Sequence, residues 1–125
     1  MKIHEIRIEV TLELTDQDID DLMVTALEGG INYWCGKAYP KLIPEGVDEG
    51  IFCSDLISKG GVVELTDAEN EDEKWDLNLS KFLNGVKQYC EEYQISDEQN
   101  LMEMHDAETA DHIIQYALFG ELVFG

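Results

Sequence analysis

Carboxylates are the side chains through which this sequence could do chemistry. Asp67, Glu69, Glu71, Asp72 and Glu73 lie within seven residues of one another. Glu91, Glu92, Asp97 and Glu98 form a second group. No Lys or Arg follows Lys87, yet that stretch also carries Glu103, Asp106, Glu108, Asp111 and Glu121. The whole chain sets 28 Asp and Glu against eight Lys and Arg, a formal net charge of −20 over 125 residues. Such a surface repels nucleic acid, anionic membranes and phosphorylated substrates. It attracts basic protein surfaces, which are most often the surfaces that hold nucleic acid.

Other chemistries are weaker. Asp16, Asp18 and Asp20 alternate as at the start of a calcium loop. The sixth position of that loop needs Gly and holds Asp21; the twelfth needs a bidentate Glu and holds Leu27. Acids in a first helical turn stabilise it through the macrodipole, which accounts for them. His105, Glu108 and His112 have a loosely helical spacing, but His105 precedes the helix cap expected at Asp106, so no metal site is expected. Cys35 lacks an adjacent base and has only Lys37 near it, thin support for a nucleophile. The motifs GxSxG, HExxH, GxxxxGKS and GxGxxG are absent. The single arginine, Arg7, argues against a phosphate clamp. A non-enzymatic chain with no cofactor is the expectation.

The elements that must position these acids can be read from periodicity. Ile6, Ile8, Val10, Leu12 and Leu14 alternate with Arg7, Glu9, Thr11 and Glu13, which predicts a half-buried strand. Thr15 and Asp18 make an approximate capping box for a helix with Ile19, Leu22, Met23, Ala26 and Leu27 inward. Gly29-Gly30 ends or bends it, and residues 31–35 read as a further short helix or a continuation. Residues 36–52 hold both prolines, Pro40 and Pro44, and read as irregular. Ser54 is expected to cap a short helix through Lys59. Residues 62–66 and 75–79 predict a hairpin whose turn is the first acidic group. Ser80 is expected to cap a helix with Leu83, Val86, Cys90 and Tyr93 on one face. Gly85 lies mid-helix at a cost of about 1 kcal/mol relative to Ala, which a close packing contact would explain. A loop follows near residues 96–99, then a helix capped by Asp106 and broken at Gly120, then a terminal strand or apolar plug at 122–124.

These elements predict one α+β domain: a small antiparallel sheet of three to four strands with three to four helices, mostly on one face. Nothing reads as a secretory leader, no stretch reaches the ~20 apolar residues of a membrane span, and three cysteines without CxxC spacing fit a reducing cytoplasm.

The stretches Ala26-Leu27-Glu28-Gly29-Gly30-Ile31-Asn32-Tyr33-Trp34-Cys35, Ser54-Asp55-Leu56-Ile57-Ser58-Lys59-Gly60-Gly61 and Ile113-Ile114-Gln115-Tyr116-Ala117-Leu118-Phe119-Gly120-Glu121 carry a resemblance. With them the chain resembles a family of small acidic phage and mobile-element proteins of Gram-positive gut bacteria. That resemblance implies no catalytic residues. It implies a setting in which accessory genes often encode anti-CRISPR or anti-restriction inhibitors, some of them acidic nucleic-acid mimics.

The expected function is therefore a non-enzymatic inhibitor in the bacterial host cytoplasm. It would block the basic DNA- or RNA-binding surface of a CRISPR effector or restriction enzyme through Asp67, Glu69, Glu71, Asp72, Glu73, Glu91, Glu92, Asp97 and Glu98, without itself binding nucleic acid or membrane. The alternative is an interaction or self-assembly module, a homodimer being one form of it, that uses Tyr33, Trp34 and Phe124 and needs no mimicry. A small metal-dependent hydrolase is third.

Overall fold

Thr15 begins the folded body. Its side chain accepts from the Asp18 N–H while the Asp18 carboxylate accepts from the Thr15 N–H, the reciprocal cap that the sequence predicts. The computed structural model describes residues 1–125. Helix α1 runs Asp16–Thr25 and passes directly into a π-helical turn, Ala26–Gly30. The helix expected at 31–35 does not form. The chain turns at Ile31 and enters β1, Cys35–Leu42, part of the segment that had read as irregular. Short α2, Cys53–Leu56, follows, then β2, Val62–Asp67, and β3, Lys74–Leu77. Three helices complete the chain: α3, Leu79–Tyr93; α4, Glu98–Met104; and α5, Ala107–Phe119.

The fold class is the predicted one: α+β, with three antiparallel strands in the order β1-β2-β3 and five helices. Val63, Leu65 and Leu77 point into the core, with Val63 opposite Leu77 across the β2–β3 ladder. The opposite face carries Glu64, Lys41, Lys74 and Asp76, joined in ion pairs, with Glu64 mostly covered and the other three half open to solvent. One cluster of buried side chains spans the helices and this inner face, from Ile19, Leu22 and Met23 to Ile113 and Ile114.

Several boundaries differ from expectation for local reasons. Asn78, rather than Ser80, caps α3, because its side chain reaches the Lys81 N–H. Phe52 stands at the start of α2 with no side-chain cap, and α2 stops well short of Lys59. Helix α4 begins within the loop expected near residues 96–99 and fills residues 100–104, which had been given no element; Asp97 caps it and Leu101 anchors it in the core. Gly85 explains itself: a Cβ there would collide with the Ile113 carbonyl of α5 and lie 2.8 Å from the Ala117 Cβ.

The largest departure is the N-terminal strand, which does not form. Residues 1–14 belong to no helix or strand, and only Leu12 and Leu14 pack against the core. Alternation states which face of a strand could be buried, but it supplies no neighbour. Both candidate edges in this chain are poor hosts. Edge strand β1 contains Pro40, which lacks an N–H, and has register shifts on either side of its middle; edge strand β3 has only four residues.

Candidate partner-binding surface

The β2–β3 turn presents the first acidic group. Asp67 departs from its neighbours in function: its Oδ1 accepts the N–H groups of Glu69 at 2.7 Å and Asn70 at 3.1 Å. Asn70 repeats the device on the Asp72 N–H at 3.1 Å, and the Glu73 N–H donates to the Asn70 carbonyl. A short Asp or Asn side chain reaches local backbone amides in this way, whereas the longer Glu does not. Asp67 therefore builds the loop. Glu69, Glu71, Asp72 and Glu73 project from it, exposed and in no ion pair or side-chain hydrogen bond.

The second group divides the same way. The Asp97 side chain accepts the Asn100 N–H at 2.7 Å as the α4 cap. Glu91 and Glu92 stand exposed at the end of α3, and Glu98 is half-buried at the start of α4. No ion pair or hydrogen bond joins the two groups. The chain's Lys–carboxylate pairs lie elsewhere, at Glu64, Asp76 and Asp16. Asp106 also works as a cap; the Thr109 N–H holds its carboxyl below the usual aspartate range.

Asp111 does not belong to the surface at all. It is buried, with no cation beside it. The Trp34 indole N–H donates to its Oδ1 at 2.8 Å, Gln115 Nε2 donates to the same oxygen at 2.9 Å, and the Tyr33 hydroxyl donates to Oδ2 at 2.6 Å. Gln115 extends this hub to the C-terminal tail. Its Oε1 accepts the N–H groups of Val123 and Phe124, and its Nε2 donates to the Phe124 carbonyl. Phe124 is thereby laid flat on Trp34, ring centroids 4.9 Å apart and planes 3° from parallel, with Trp75 and Phe119 closing the aromatic group. Of the terminal strand or apolar plug expected at 122–124, no strand forms and only Phe124 plugs the core, while Leu122 and Val123 are exposed; Trp34 is turned inward. Of the aromatics expected at an interface, only Tyr33 is substantially exposed, and its hydroxyl is engaged. Periodicity offered one clue to the hub: position 111 lies one turn from both Ala107 and Ile114, on the apolar stripe of α5.

Burial, then the adjoining Asp111 carboxylate, pushes the Tyr33 phenol up from 10.0 to about 12. The folded state thus prefers the neutral phenol. Its contribution to stability is whole below pH 10 and is lost as pH rises from 10 to 12. A spectrophotometric phenolate titration should show a late-ionising tyrosine that disappears in Tyr33→Phe. If the wild-type and variant curves differed by an ordinary tyrosine instead, the hub geometry would be wrong.

The remaining candidates for chemistry are committed elsewhere. Burial raises the pKa of all three thiols, Cys35, Cys53 and Cys90, which disfavours the nucleophilic thiolate. His105 contacts the Met102 carbonyl and Thr25, while His112 contacts Tyr93 and lies 3.8 Å from Glu108. No three His, Cys, Asp or Glu side chains converge on a common point as a metal cluster would require. No helix is long and apolar enough to cross a membrane. No protein-family model matches the chain, and neither the curated proteins nor the solved structures contain a match to it.

Proposed function

We propose that this protein is a non-enzymatic inhibitor that seats the β2–β3 turn in a basic nucleic-acid-binding surface, as a mimic of the phosphate backbone. The observation that carries the reading is the quartet Glu69, Glu71, Asp72 and Glu73, exposed on a loop braced by Asp67 and Asn70, with none of the four in an ion pair; the nearby Lys74 pairs with Glu64 instead. Like charges crowded on one turn repel, although solvent and salt screen them. A partner's lysines and arginines would relieve that repulsion and steer fast encounter. Glu91 and Glu92, exposed at the end of α3, and the half-buried Glu98 add further negative charge, in no ion pair. The resemblance to mobile-element proteins makes a host defence nuclease, a CRISPR effector or restriction enzyme, the target class.

Binding of the purified protein to such nucleases tests this. Complex formation should weaken steeply with salt and be blocked by pre-bound guide RNA or DNA. The quadruple variant Glu69→Gln, Glu71→Gln, Asp72→Asn, Glu73→Gln should keep its thermal midpoint and bind at least about tenfold more weakly, because solvated rim charges act mainly on association. Binding indifferent to salt, to nucleic acid and to these substitutions would end the mimicry reading.

A further inference from the structure

Residues 1–14 leave an apolar stripe without a neighbour. Ile6 is 88% exposed, Ile8 77% and Val10 49%. The stripe alternates as a strand should, yet neither edge of the chain's own sheet receives it. We propose that the arm pairs with the same arm of a second copy, as an antiparallel two-stranded ribbon about a two-fold axis at Ile8.

The sequence of the arm is self-complementary in that register. Ile8 faces Ile8, Ile6 faces Val10, and Glu5 faces Thr11. Arg7 faces Glu9, and the two-fold repeats that charge pair. Opposed residues in an antiparallel pair share a face, so Ile6, Ile8 and Val10 of both arms fall on one side, and Ile3, opposite Glu13, falls on the other. Other registers are worse. An axis at Arg7 sets Arg7 against Arg7 and Glu5 against Glu9. An axis at Glu9 sets Glu9 against itself. An axis at Ile6 sets the exposed Ile8 and Val10 against His4 and Lys2, whereas the axis at Ile8 leaves His4 and Lys2 to Leu12 and Leu14, which already pack on their own core. An axis at Val10 requires Leu12 and Leu14, which already pack on their own core. Registers offset by one residue put apolar against polar side chains along the whole ribbon.

Charge also favours this meeting place. The arm holds Lys2 and Arg7 against Glu5, Glu9 and Glu13, a formal −1 of the chain's −20. Two copies repel least where they touch through their arms. A two-fold contact of this kind closes on itself and stops at the dimer. An isolated two-stranded ribbon is marginal in water, so the apolar face must also lie against the bodies at Leu12 and Leu14, and the dimer is expected to be weak.

Sedimentation equilibrium of the full chain, from low micromolar to near-millimolar protein, tests the proposal. Wild type should dimerise, and more strongly as salt rises, because screening relieves the repulsion between the acidic bodies. Ile8→Lys should be monomeric with an unchanged thermal midpoint. Arg7→Glu should weaken the dimer roughly tenfold by placing Glu against Glu9 twice. The double variant Arg7→Glu, Glu9→Arg should restore it, since the pair is exchanged rather than lost. A wild type that stays monomeric at all concentrations and salts overturns the proposal. So does a dimer that survives Ile8→Lys, and so does a double variant that fails to recover, the result expected if the arm binds a sheet edge of the second copy instead.

Discussion

Asp111→Ala is expected to lower the unfolding free energy by about 3 kcal/mol. The carboxylate has two effects that oppose each other. As a buried charge without a cation it carries a desolvation cost, and removing it relieves that cost. Its removal also leaves the Trp34 indole N–H, one N–H of Gln115 and the Tyr33 hydroxyl without their acceptor. Trp34 and Gln115 are too deeply buried for water to replace it. Each buried donor left unpaired costs about 1–3 kcal/mol, so the loss dominates. Only Tyr33 has an alternative, the Phe124 carbonyl at 3.3 Å. Asp111→Asn separates the contributions: it keeps an oxygen for Trp34 and Gln115 but turns an amide toward Tyr33. A loss nearer 1 kcal/mol is expected, with the Tyr33 phenol falling only part of the way from about 12, because burial, the larger cause of its rise, remains. Urea unfolding would measure both variants. An Asp111→Ala protein as stable as wild type would show that the hub does not hold the tail.

Gly85→Ala should cost about 2 kcal/mol, in spite of Ala being the better helix former. Propensity alone would favour the substitution by about 1 kcal/mol. The added methyl, however, meets backbone: the Ile113 carbonyl, and the Ala117 amide nitrogen at 2.9 Å. A flexible side chain could turn aside, but a helix backbone cannot. Helices α3 and α5 must separate, which loosens Phe82, Val86 and Tyr89 against Ile113 and Ile114, and overpacking of this kind costs about 1–3 kcal/mol or more. A fall in melting temperature of roughly 5–8 °C is the corresponding readout for a domain of this size. A midpoint equal to or above that of wild type would mean that the helices lie farther apart than described.

What the sequence made legible follows from the range of the interactions involved. The Thr15–Asp18 box, the Asp106 cap, the Gly120 stop and the acidic hairpin depend on residues within a few positions, and each is where periodicity and cap chemistry put it. The need for Gly85 could be inferred, although its partners could not. Strand β1 was hidden because Pro40 reads as a breaker, while its pairing partner lies some twenty-five residues on, with Cys35 beside Asp67 and Pro40 beside Val63. The N-terminal alternation was legible as a pattern but misleading as an element, since nothing in a single chain reveals whether a strand has a neighbour. Within the acidic surface, counting charges could not separate Asp67 and Asp97, which fasten backbone, from the glutamates beside them. Asp111 was misassigned for the converse reason: its three donors come from both ends of the fold.

The hub also bears on how the protein is made. Its Trp34–Asp111 bond spans 77 residues, and the tail that covers Trp34 is held by Gln115. During synthesis, at about 5–20 residues per second, residues 1–106 are joined before any of α5 exists. For those seconds Trp34 has neither its acceptor nor its stacking ring, and α3 has no partner at Gly85. The aromatic group and the α3–α5 contact therefore cannot close until α5 and residues 120–124 have been made.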